Sequence, residues 1–115
     1  MKKAYHLAKC NTCQRILKEV NWQETTQNIR EEKITEHQID EMAKLAGSYE
    51  ALFSRRAIKY KSMGLKDKAL SDQDYKQLIL EEDTFLKRPV VIVGNLIFIG
   101  NSKHTIEQLK TALSE

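Results

Sequence analysis

Cys10 and Cys13, the two cysteines of this 115-residue chain, are the residues best equipped for covalent chemistry. A C-x-x-C pair supports thiol redox work, in which one thiolate attacks an oxidised centre and the second thiol closes a disulfide on it. The same spacing also fits half a zinc site, or two small core residues. Zinc needs two further ligands, and the imidazoles of His6, His37 and His104 stand at no paired spacing. Two cysteines are too few for the disulfide framework of a secreted scaffold, so the pair reads as redox chemistry in a reducing compartment.

Two other clusters carry charge. Arg88-Pro89 sets the single proline of the chain beside a fixed cation that can hold an oxyanion or steady a thiolate. Its plain alternative is a strand-start proline, where a missing N–H costs no ladder bond. Arg55 and Arg56 form the other cluster with Lys59 and Lys61, and the plain reading of such a run is a solvated face. His6 could tune Cys10 or serve structure alone, and Trp22 and Phe98 read as core. The sequence contains no Gly-rich phosphate loop and no supported Ser-His-Asp order.

The elements that position these residues follow from periodicity. Ala4-Tyr5-His6-Leu7-Ala8 predicts a strand that stops at the polar Lys9-Cys10-Asn11-Thr12. Cys13, Ile16, Leu17 and Val20 then fall on one helix face, so the cysteines occupy the start of a helix. There the unpaired N–H groups and the dipole favour Cys10 as the thiolate, with Cys13 a turn later as the resolving thiol. Trp22–Ile29 predicts a second strand, parallel to the first through a right-handed crossover.

Thr35 with Gln38 makes a capping box for a helix ending at Gly47, and Tyr49–Tyr60, with its apolar Leu52, Phe53 and Ile58, predicts short helices. Ser71 caps another helix, with Tyr75, Leu78 and Ile79 on its buried face, that ends near Glu82. Val90–Val93 and Leu96–Ile99, joined by Gly94-Asn95, predict a hairpin, and Ser102 caps a last helix on Ile106, Leu109 and Leu113. The order is βαβ, a helical insertion over about residues 33–83, then ββα. We expect one α/β domain over residues 1–115, a thioredoxin-like fold with a four-stranded mixed sheet. In such thiol-redox folds the proline loop facing the cysteine carries a cis peptide bond, and the sequence leaves the isomer of Pro89 open.

Composition bounds the rest. The chain is 41% hydrophobic and 30% charged, which excludes disorder, and its length leaves no room for a second domain. Its apolar runs reach four residues, as in Val90–Val93, against the ~20 of a membrane-spanning helix. Met1-Lys2-Lys3 is followed by no apolar signal region, so the expected location is the cytoplasm. A net charge of +3 is too small to imply nucleic acid.

Cys10-Asn11-Thr12-Cys13, Leu52-Phe53-Ser54-Arg55-Arg56 with Tyr60 and Gly64-Leu65, and Leu86-Lys87-Arg88-Pro89-Val90-Val91 together resemble the arsenate reductase / Spx-like (ArsC-like) family of thioredoxin-fold proteins. The match runs from Tyr5 to about Leu113. The resemblance implies a catalytic group of Cys10, Cys13 and Arg88, and an anion-binding group of Arg56, Arg55, Asn11, Thr12 and Pro89. It implies no metal and no bound cofactor, with glutathione as co-substrate and glutaredoxin as partner for a small oxyanion or disulfide substrate. The reductases carry a third anion-holding arginine that would fall near Gly100, where this chain has Ile99-Gly100-Asn101. The Spx pattern has Arg directly after the second cysteine, where this chain has Gln14 and then Arg15.

Two functions are therefore expected from different classes. One is a reductase in which Cys10 attacks and Arg88 and Arg56 neutralise the oxyanion. The other is a redox-sensing regulator whose Gly47–Ala51 and Arg55–Lys61 surface contacts the C-terminal domain of the RNA polymerase α subunit. A catalytically idle domain is the third reading. The chain is expected to be a monomer.

Overall fold

The sheet starts at the second residue. In the computed structural model, which describes residues 1–115, strand β1 spans Lys2–His6, beginning two residues before the expected run and ending before Leu7. Lys2 and Lys3 pair in register with Val93 and Ile92, because ladder hydrogen bonds use backbone alone and tolerate polar side chains at a strand start. The Lys3 ammonium also lies 5.0 Å from the centre of the Tyr5 ring.

Helix α1 spans Asn11–Glu19 and buries Cys13 and Ile16. After it the chain turns at Asn21, with φ 55°, and the Trp22 indole donates to the Thr25 carbonyl at 3.2 Å. These contacts occupy Trp22–Glu24, so strand β2 is confined to Thr25–Asn28, the end of the expected run. β1 and β2 are parallel. Strands β3, Val90–Val93, and β4, Leu96–Ile99, form the expected hairpin, with Gly94 at φ 61° in its turn. β3 lies antiparallel to β1, giving the order β2-β1-β3-β4.

Ser102 caps the last helix, Lys103–Leu113, by accepting from the Thr105 N–H. Ala4, Val91, Phe98 and Leu109 are buried together, with Leu17, Trp22 and Leu113 packed around them. These elements belong to one compact unit, residues 1–33 with 88–115.

Residues 34–87 form a second compact unit. Its helices are α2, Glu36–Ala46, α3, Ile58–Ser62, and α4, Asp72–Glu81, and the last helix of the chain is therefore α5. The capping boxes at Thr35 and Ser71 both form, and Gly47 ends α2 at φ 98°, a conformation costly for any residue with a Cβ. Short 3₁₀ turns at Glu50–Leu52, Leu65–Asp67 and Asp83–Phe85 fill the rest. Phe53 is the centre of the apolar core, with ring centroids 4.8 Å from Tyr75, 5.0 Å from Phe85 and 5.9 Å from Tyr60. Ile58 does not join it and is 87% exposed. On α4, Tyr75 and Ile79 are buried, and Lys76 is buried where Leu78 is only half-buried.

Candidate active site

Leu7, the residue that leaves β1, organises the first turn of α1. Its carbonyl accepts from the Cys10 N–H at 3.0 Å and from the Gln14 side-chain amide at 3.2 Å. The Leu7 backbone also bonds the Cys13 sulfur. The loop is held from the sheet side too, where the Ala8 N–H donates to Asn28 Oδ1 at 3.2 Å. A short strand exit thus fixes both cysteines at once.

Cys10 is the N-cap of α1, and its sulfur accepts from the Cys13 N–H at 3.4 Å. Cap position and partial exposure leave the sulfur reachable. Burial, the largest influence on the Cys10 thiol, pushes its pKa up. It is outweighed by a hydrogen bond from the Cys13 thiol, the Cys13 N–H, the positive charge of Arg88 and the Thr12 N–H, so Cys10 titrates below its ordinary value. Cys13 behaves oppositely. It is 0% exposed, and burial first, then its bond and proximity to Cys10, push it up to about 12. Both thiols are free.

Arg88 enters the same unit on the loop before β3. The Arg88–Pro89 peptide bond is cis, and the Pro89 carbonyl accepts from the Gly100 N–H at 2.9 Å. The guanidinium is close enough to stabilise both cysteine thiolates. Its Nη1 is enclosed and has no hydrogen-bond partner. A buried guanidinium nitrogen without an acceptor is rare in a folded chain.

The other expected residues divide between the two units. Asn11 opens α1 exposed to solvent, and Thr12 turns its N–H toward the Cys10 sulfur. Arg55 and Arg56 belong to the helical unit. Arg55 is engaged there, with Nη2 2.7 Å from Glu50 Oε2 and 3.1 Å from the Tyr75 hydroxyl. Arg56 is exposed, and only its backbone is tied, to Ser54 Oγ at 3.3 Å. His6 is bonded to Gln14, with Nδ1 3.0 Å from the side-chain amide nitrogen, and burial holds the ring below its ordinary pKa. The amide donates, so Nδ1 is the acceptor and the imidazole is neutral there. The roles of Leu7 and Gln14 were not read from the sequence, since nothing in their residue types signals them. No three His, Cys, Asp or Glu side chains converge on a point where a metal could sit.

Comparison with known proteins places this geometry. The sequence profile of the ArsC family matches residues 5–109. The chain belongs to the ArsC family. The search of curated proteins found no match. Among solved structures, arsenate reductase from Vibrio cholerae superposes with TM-score 0.77 at 19% identity, covering 96% of each chain. An arsenate reductase related protein from Brucella melitensis gives 0.71 at 17%, covering 93% of this chain and 92% of that one. SACOL0876 from Staphylococcus aureus gives 0.73 at 24%, covering 94% and 97%. The α/β, thioredoxin-like arrangement expected of an ArsC protein is thus the observed one, with its four-stranded mixed sheet and helices. No helix is long and apolar enough to cross a membrane.

Proposed function

We propose that this ArsC-family chain is a thiol-dependent reductase of small oxyanions, with arsenate as the first candidate substrate and glutathione with glutaredoxin as reductant. One observation carries the reading: the Cys10 sulfur, at the N-cap of a helix and with its pKa drawn below the ordinary value, lies within the charge of an arginine whose buried Nη1 has no partner. A nucleophile and an unfilled anion donor in one place are the two parts such a reaction needs.

The chemistry balances as follows. The Cys10 thiolate forms a sulfur–arsenic bond, and one arsenate oxygen takes up protons and leaves as water. A second thiolate attacks the Cys10 sulfur, forming a disulfide as the sulfur–arsenic bond breaks. The electron pair stays on arsenic, which passes from As(V) to As(III). Another thiol then reduces the disulfide and regenerates Cys10. Arg88 opposes the charge on the oxyanion throughout.

The test is arsenate-dependent consumption of reduced glutathione in the presence of glutaredoxin and an NADPH-coupled reductase. Wild type should turn over, and Cys10→Ser should fall by several orders of magnitude, as loss of a covalent nucleophile does. Absence of turnover in wild type, with Cys10 still reactive as a thiolate, rejects arsenate. The hydrogen bond between the two thiols favours the second reading, a redox-sensing regulator, in that event. Redox-dependent capture of the RNA polymerase α C-terminal domain would then decide for it.

A further inference from the structure

The two outer strands of the sheet are guarded differently. β2 closes one side with Thr25-Thr26-Gln27-Asn28, next to Glu24. Polar side chains and a nearby charge are common guards of an unpaired strand. β4 closes the other side with Leu96-Ile97-Phe98-Ile99, and from Val90 to Ser102 the chain has no charged residue and no proline. Leu96 is 52% exposed. It faces Val93 across a two-residue turn, and beyond the strand the Gly100 N–H donates to the Pro89 carbonyl at 2.9 Å. Leu96 and Phe98 therefore turn their backbone groups into the sheet, and Ile97 and Ile99 turn theirs outward, where no strand meets them.

Helix α5 continues the uncharged surface. Its Lys110 points toward α1, with the ammonium 2.7 Å from Glu19 Oε2, and Lys103 and Glu107 line the same groove. Gln108, Thr111 and Ala112 instead line an open groove of about 370 Å³ beside Leu96, Ile97 and Phe98, with Glu115 at its end. The charges of α5 thus gather mainly on the α1 side and leave the β4 side largely apolar.

We infer that β4 pairs with β4 of a second copy of this chain, antiparallel and about a two-fold axis. The edge itself specifies the occupant: an uncharged strand with free N–H and C=O groups at alternate residues, and β4 is such a strand. With the axis at Phe98, Ile97 of each copy exchanges N–H and C=O with Ile99 of the other, and one contact covers both open edges. The α5 flanks then adjoin on one face of the joined sheet. A strand of four residues with one helix flank is smaller than the ~1,200 Å² of a stable interface, so the pair is reversible and set by concentration.

Sedimentation of the full chain in a thiol reductant, which prevents crosslinking through Cys10, decides between this pair and the monomer expected from the sequence. The mass should rise from 13.4 kDa toward twice that value as concentration increases. Leu96→Lys, at an exposed position, should weaken association by about tenfold or more. Ile97→Pro, which removes an outward N–H and no ladder bond within the hairpin, should abolish it. Amide hydrogen exchange of wild type supplies a readout independent of the variants: Ile97 and Ile99 should exchange fast when dilute and slowly when concentrated. A mass that stays at 13.4 kDa up to about 1 mM overturns the pairing and leaves the edge to a strand of another protein. A dimer whose Ile97 and Ile99 amides still exchange fast, or one that both variants leave intact, overturns it too, since the contact then lies elsewhere.

Discussion

Lys76 and Arg88 are both cations drawn away from water, and the chain answers only one of them. Lys76, on α4, is 8% exposed, yet its ammonium lies 2.9 Å from Asp40 Oδ1, 3.2 Å from Glu36 Oε2 and 5.5 Å from the centre of the Tyr49 ring. Asp40 in turn accepts from the Tyr49 hydroxyl at 2.6 Å. Every group in that network has a partner, and its product is local: α2, α4 and the turn at Tyr49 are tied together. Arg88 has an enclosed nitrogen with no acceptor. Satisfied buried charge ties elements together, whereas unsatisfied buried charge beside a cysteine is the feature on which the proposed anion site rests. The two units thus treat the same physical problem in opposite ways.

The contrast is sharpest in substitutions at Arg88. Arg88→Met keeps the apolar stem and removes the charge. We expect kcat/KM for the oxyanion to fall by about 10²–10³, the effect of losing one charge-stabilising donor. The alkylation midpoint of Cys10 should rise, since the charge of Arg88 helps hold that thiol down. The thermal midpoint should not fall, because no internal hydrogen bond is lost at Nη1. A variant that kept its activity and lost its stability would make Arg88 a structural cation like Lys76 and remove the basis of the comparison.

Asp40→Asn should do the reverse. It removes a charge from Lys76 and weakens the acceptor of Tyr49, so calorimetry should show a thermal midpoint lower by a few degrees. Cys10 alkylation and turnover should be unaffected.

How far the sequence disclosed these two regions differs for a physical reason. Caps are local, so Thr35, Ser71 and Ser102 announced α2, α4 and α5, and Gly94-Asn95 announced the hairpin. Cys10 was legible as an N-cap because a strand and a helix face bracket it. Ladder pairing is not local, which is why β1 could take in Lys2 and Lys3 while β2 gave up Trp22–Glu24 to a turn. The His6–Gln14 bond, the hub at Leu7 and the enclosed nitrogen of Arg88 depend on how one loop is placed against another. Residue type carries no trace of that. Lys76 shows the limit most plainly, since a lysine on the core side of a helix is readable only once Asp40 and Glu36 are seen facing it.

The smallest expected effect tests why Lys76 is held. Bonds from Tyr49 first and Lys76 next keep the Asp40 carboxyl below its ordinary value. A carboxylate with a depressed folded-state pKa favours the native state above its unfolded value of about 3.9, and that contribution is lost as pH falls through the folded value. The stability gap between wild type and Asp40→Asn should therefore be full at pH 7 and close steadily below about pH 4. Chemical denaturation at pH 7, 5 and 3 measures it. A gap that stayed constant to pH 3 would mean that Asp40 acts through packing and not through charge. Electrostatic pairing of Lys76 would then rest on Glu36 alone, and the contrast with Arg88 would narrow to that one bridge.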